Sequence, residues 1–175
     1  YDPDKDMVTI AKGKNFWKLQ DGFRLDFSGK YEGASALAAA QAQAMEEDAP
    51  ADPGAMMQDA LQKLLVHNFQ LSFDDDGFVD RAFNAYAAQS GQDPQQIRSQ
   101  AAGMMAMAPM MAAGTGIDPE VISEAATALS SFLTDPKTLT LSLAPAAPLR
   151  IADFVEMEDP SALTKTALGF SAKNE

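Results

Sequence analysis

The chain has 175 residues, 46% of them hydrophobic, with a net charge of −12, no cysteine and one histidine. That length fits a single domain burying roughly 70% of the surface its unfolded chain exposes, so a core forms without metals or disulfides. The missing cysteines remove disulfides, thiolate chemistry and cysteine-ligated zinc, and the lack of a basic patch disfavours nucleic acid and anionic membrane surfaces as partners.

The charge is uneven. Residues 1–32 balance six basic groups against six acidic ones, residues 33–136 hold three against fourteen, and residues 137–175 hold four against five. Solubility is the plain reading of that acidity. The chain begins at Tyr1 with no leader-like segment, so it is expected to be a mature or trimmed chain whose signal or anchor lies outside it. Asp-Pro recurs at Asp2-Pro3, Asp52-Pro53, Asp93-Pro94, Asp118-Pro119, Asp135-Pro136 and Asp159-Pro160. Asp is a good N-cap and Pro suits the first helical position, so the pairs at 53, 94, 119 and 160 predict helix starts. Asp135-Pro136 separates a helix from a strand.

The first elements are β. Phe23, Leu25, Phe27 and Tyr31 alternate with Arg24, Asp26, Ser28, Lys30 and Glu32, which predicts a strand with one wet face. Before it, Lys14 to Leu19 predicts a partner strand. A three-residue loop Gln20–Gly22, with Gly22 left-handed, sets Leu19 opposite Phe23 and Trp17 opposite Leu25. A two-residue Asp-Gly turn sets Trp17 opposite Asp26. The first register is preferred because it keeps apolar side chains on one face.

Residues 34–48 predict an Ala/Gln helix capped by Ser35, followed by an exposed, mobile loop from Glu46 to Gly54. A helix from Pro53 to about Leu64 leads into a strand in which Leu65, His67, Phe69, Leu71 and Phe73 alternate with polar residues and Val66. After the turn Asp74–Gly77, Phe78, Val79, Ala82, Phe83, Tyr86 and Ala87 fall at helical spacing, stopped by Gly91. Helices are predicted at about 94–113 and 119–134. Ser99 to Ile117 is uncharged, but it is mostly Ala, Gly and Met with Pro109 inside, and reads as a buried helix rather than a transmembrane one. A third strand places Leu139, Leu141 and Leu143 inward. Leu149 to Val155 suggests a short strand, and a helix after Pro160 runs to Gly169 and a terminal strand around Phe170.

These elements predict an α+β fold in one domain spanning 1–175. A β-rich segment 1–33 precedes a helical, acidic middle 34–136 containing strand 65–73, and a β segment 137–175 follows. The expected sheet is antiparallel, of about four to six strands, with helices packed on one face. No phosphate-cradling glycine loop follows a strand, which disfavours nucleotide folds.

Several residues invite chemistry. Ser72, Asp74 and Asp76 match the first positions of a calcium loop, but its twelfth position is Phe83, so a solvated turn and helix cap is the better reading. His67 falls on the apolar face with no nucleophile motif, and reads as a structural residue at the core edge. Glu46-Glu47-Asp48 reads as a solvated run. The most distinctive feature is the cluster Met104, Met105, Met107, Met110 and Met111. It is either a plain core helix or a flexible surface for an acyl chain or a partner's helix, since Met suits both irregular cores and promiscuous apolar surfaces. No cofactor, metal or catalytic residue is expected.

The early Asp-Pro, Asp21-Gly22-Phe23-Arg24-Leu25-Asp26-Phe27, the run Leu71 to Phe83, Phe132 to Pro136, Leu139-Thr140-Leu141 and Pro145 to Pro148 together resemble uncharacterised proteobacterial envelope proteins. These are loosely similar to AsmA-like and YdgA-like proteins. The resemblance implies a periplasmic, membrane-anchored protein of which this is a soluble part, and it brings no catalytic residues. Larger relatives are thought to handle lipids along β-rich grooves, whereas the middle of this chain is helix-rich. The expected function is therefore non-enzymatic binding of a lipid or other apolar ligand, or of an envelope protein partner, through the Met-rich helix. The alternative is a structural or interaction module using the acidic region. An enzyme built around His67 and Asp80 is the remaining class.

Overall fold

The computed structural model describes residues 1–45, 52–155 and 160–175. The predicted 46–54 loop falls largely outside them, as do Glu46-Glu47-Asp48 and Asp159. The elements run β1 (Met7–Ile10), β2 (Phe16–Leu19), β3 (Phe23–Glu32), α1 (Ala34–Ala44), α2 (Pro53–Lys63), β4 (Leu65–Asp75), α3 (Phe78–Ser90), α4 (Pro94–Ala106), α5 (Ala108–Met111), α6 (Pro119–Thr134), β5 (Thr138–Leu143), β6 (Leu149–Arg150), α7 (Ile151–Val155), a 3-10 turn (Pro160–Ala162), α8 (Lys165–Leu168) and β7 (Phe170–Asn174).

The fold is α+β, with an open antiparallel sheet ordered β1-β3-β4-β5-β7. β3 pairs with β4 over its whole length, so β1 and β2 share its other edge end to end. Among the described residues the sheet has seven strands, more than the four to six expected. The extra strand is β1, whose four residues are too few to alternate legibly. The expected strand 149–155 is instead the two-residue β6 followed directly by helix α7.

The β2–β3 hairpin has the preferred register, with Trp17 opposite Leu25 and Leu19 opposite Phe23. Its left-handed residue is Asp21 (φ 54°) and not Gly22. Gly22 is needed for space: a Cβ there would press on the Leu19 side chain, and its carbonyl accepts the Asp76 and Phe78 amides at 2.7 and 3.2 Å.

Alternation gives the sheet two unlike faces. On the apolar face, Phe23 stacks on Phe73 at 4.9 Å between ring centres. Phe78 of α3 and Phe132 of α6 close on this pair edge-on, at 5.2 Å from Phe23 and 5.7 Å from Phe73. That cluster fixes the start of α3 and the end of α6 against the sheet. On the polar face, Asp26, Ser72 and Thr140 stand in one row across three strands. Asp26 is buried there because the 11–15 connection folds back over it. Gly13 N–H donates to its Oδ1 at 3.0 Å and Arg24 to its Oδ2 at 3.0 Å.

Asp52, Asp93 and Asp118 cap α2, α4 and α6 as their Asp-Pro pairs predict. α1 is different: its N-cap is Gly33 (φ 81°), and Ser35 donates instead to Asp6 at 2.7 Å. Gly33 lies so close to the Lys63 carbonyl that no side chain fits. α6 runs beside β7 and closes the edge of that strand. Glu124 Oε1 accepts the Ala172 amide at 2.9 Å, and Asn174 Nδ2 donates to Ser131 Oγ at 3.1 Å and to the Asp135 carbonyl at 2.9 Å.

Candidate functional site

The Met-rich segment is not the single buried helix that its composition predicts. Pro109 lacks an N–H, and its ring would strike the carbonyl four residues back, so the helix breaks before it. Met107 ends α4, its amide turned to the Gly103 and Met104 carbonyls at 3.3 and 3.1 Å, and α5 restarts with Pro109 in its first turn. Small residues let α4 approach α6 closely: Ala102 is buried there and its carbonyl accepts Ser130 Oγ at 3.0 Å. The methionines fall on other sides. Met104, Met107, Met110 and Met111 are 55–77% exposed, and only Met105 is half-buried. Among the described residues no helix is long and apolar enough to cross a membrane.

Met104 belongs to a cleft of about 510 Å³ between α3 and α4. Phe83 and Tyr86, three residues apart on α3, line one wall. Ile97, Ala101 and Met104, spaced four and three on α4, line the other. The α3–α4 turn is set by Gly91 (φ 69°) and by the Asp93 carboxylate, which takes the Gln95 and Gln96 amides at 2.8 and 3.1 Å. Arg98 holds the two helices at this spacing. It is ion-paired with Asp80 of α3, and its guanidinium lies 5.3 Å from the Phe83 ring centre. Met107, Met110 and Met111 do not line the cleft; they follow Met104 in the chain, at the end of α4 and in α5, and are exposed. In the sequence Phe83 and Tyr86 show only helical spacing; the signal for a cleft is that Ile97, Ala101 and Met104 repeat a helical spacing on α4 opposite them.

The other candidate groups are engaged elsewhere. A register shift beside Lys30 and Tyr31 interrupts the alternation of β4, and His67 Nε2 meets Glu32 Oε2 at 2.9 Å. His67 and Asp80 thus have different partners and form no common site. Asp74 accepts Thr138 Oγ1 at 2.6 Å, and the Asp75 carboxylate takes the Gly77 and Val79 amides at 2.9 Å each. The Asp74 contact joins β4 to β5, and the Asp75 contacts hold the turn and the start of α3. Among the described residues no group of three or more acidic or histidine side chains is placed to hold a metal ion.

A larger cleft of about 650 Å³ lies between α6 and β7. Most of the residues that line it are polar or charged, and four of its charges are paired: Lys165 meets Glu124 at 2.7 Å and Lys173 meets Glu175 at 3.6 Å. The Lys165 contact and the Ala172 amide hold the Glu124 carboxyl below its ordinary pKa, and Glu124 in turn raises Lys165. Asp118 is lowered in the same way by the Lys165 and Glu120 amides. Asp26 is lowered by the Gly13 amide and by Arg24, against the opposing effect of its burial. General acid–base work needs a pKa near neutrality, and each of these shifts moves its group further from it.

A family model described as "Uncharacterized protein" matches residues 16–175. No curated protein and no solved structure matches the chain.

Proposed function

The chain belongs to the family whose model is described as "Uncharacterized protein", and from that starting point we propose that it is a non-enzymatic domain binding an apolar ligand in the Met-edged cleft between α3 and α4. The observation that carries the reading is the exposed Met104 in a cleft lined with it by Phe83, Tyr86 and Ile97, with three further exposed methionines next in the chain. Its volume of about 510 Å³ lies within the usual range for small-ligand sites. Met supplies an apolar lining that adapts to a chain of variable shape. The proposed setting is the bacterial envelope, a reading supported by the resemblance of segments 21–27 and 71–83.

Native mass spectrometry of the purified chain, before and after organic extraction, tests the reading. A co-purifying apolar mass that is lost in Met104→Lys supports it. An unliganded mass with no shift on adding single-chain lipids overturns it. The second reading, a module that docks a protein partner, is favoured by Met107, Met110 and Met111, whose exposed surface lies outside the cleft.

A further inference from the structure

The two edges of the sheet are treated differently. The β7 edge is closed by α6 through Glu124 and Asn174. On the opposite edge, β1 is partly covered, because Asp2 and Met7 exchange backbone hydrogen bonds at 2.8 and 3.0 Å. β2 lies open, and all four of its residues are exposed. Trp17, the only tryptophan, is 71% exposed although it extends the apolar row Leu25–Phe73–Leu139 by one strand. An exposed apolar edge strand is a template for pairing.

We infer that β2 pairs with β2 of a second copy of this chain, antiparallel, about a two-fold axis at Trp17. The backbone fixes which groups are free. Phe27 N–H donates to the Asn15 carbonyl at 3.1 Å, so Asn15 faces β3, and by alternation Trp17 and Leu19 do too. The N–H and C=O of Phe16 and Lys18 then point outward. With Trp17 opposite Trp17 of the second copy, each Phe16 meets Lys18 of the other copy, and the two residues exchange both backbone bonds, four in all.

Side chains select that register. Directly opposed residues must share a face, so slips go in steps of two. One slip sets Lys18 against Lys18, beside Arg24, which already lies opposite Lys18 on β3. The other sets Lys14 against Lys18. Like charges opposed across a ladder are destabilising. The Trp17-centred register instead pairs two indoles and gives each Lys18 an aromatic ring. Phe16 accepts a cation in this way already, since Arg24 lies 4.0 Å from its ring centre. The interface is small, so the dimer is a weak one.

Sedimentation equilibrium from about 5 to 500 μM spans the range of weak association. The expected mass rises from 18.6 kDa towards twice that value. Trp17 emission moves to shorter wavelength over the same concentrations. Lys18→Pro removes an outward N–H and leaves the β2–β3 ladder its own bonds, and it weakens association at least about tenfold. Trp17→Glu opposes two carboxylates at the axis and gives a monomer that keeps the wild-type far-UV circular dichroism. A wild-type chain that stays monomeric at every concentration overturns the inference, as does a dimer undiminished in Lys18→Pro and Trp17→Glu. Met104→Lys leaves the dimer unchanged, which separates this interface from the ligand cleft.

Discussion

Asp26 shows how one residue's surroundings set a property of the fold. Its buried carboxylate is held ionised by an amide and a guanidinium. Its folded pKa lies below the unfolded one, so its contribution is complete at neutral pH and is lost as pH falls through the folded value. Glu124 and Asp118 carry the same sign, while Lys165, raised, loses its contribution only at strongly alkaline pH. Stability is therefore expected to be flat from neutrality to about pH 5 and to fall steeply below about pH 4, where ordinary carboxylates protonate. Thermal melts across pH 2–8 check this, and Asp26→Asn is expected to lower the plateau and make the acid limb shallower. Nothing in the sequence marked Asp26 as buried. The alternation of 23–32 put it on the wet face correctly, but its cover comes from the 11–15 connection, whose path depends on the Gly13 contact.

At the scale of elements, the helices were the most legible part, because Asp-Pro supplies a cap acceptor and a pre-set φ at one spot. Asp93→Ala is expected to cost about 1 kcal/mol in urea unfolding and to loosen the α3–α4 cleft. Left-handed positions were read less well. Gly91 and Gly169 stop their helices as expected, whereas the hairpin put Asp21, not Gly22, at positive φ. Gly169→Ala is a sharper test, because a Cβ there collides with the Ala144 carbonyl while φ is 54°. A loss of about 1–3 kcal/mol is expected in the same assay. The break at Met107 departs from the continuous helix expected over about 94–113, and Pro109 causes it. Composition leaves the Met cluster open between core and surface, and in α4 it is Ala102 that is buried.

For the whole molecule, the fold class and antiparallel sheet were readable from alternation, and the disposition of the Met cluster was not. Periodicity reports which residues share a side of a helix; it does not report whether another element comes to lie on that side. Oxidation separates the two cases. With dilute hydrogen peroxide, Met104, Met107, Met110 and Met111, like the exposed Met45, are expected to convert to sulfoxides ahead of half-buried Met105, with the far-UV circular dichroism unchanged. Peptide mass mapping over time checks the order. Conversion of Met105 together with the other four would place the segment in a locally opening region.

The strand order β1-β3-β4-β5-β7 sets a timetable for assembly. Each long strand lies beside the next one in the chain, but the intervals differ: 32 residues separate β3 from β4, and 62 separate β4 from β5. Doubling a closed loop adds only about 0.6 kcal/mol of entropy, so neither closure is prohibitive, yet the shorter one has the advantage. The transition state for folding is expected to hold the β3–β4 pair around Phe23 and Phe73, with β5 and β7 docking afterwards. Conservative truncations in the first pair should slow refolding, and those at Leu141 or Ala172 should mainly speed unfolding.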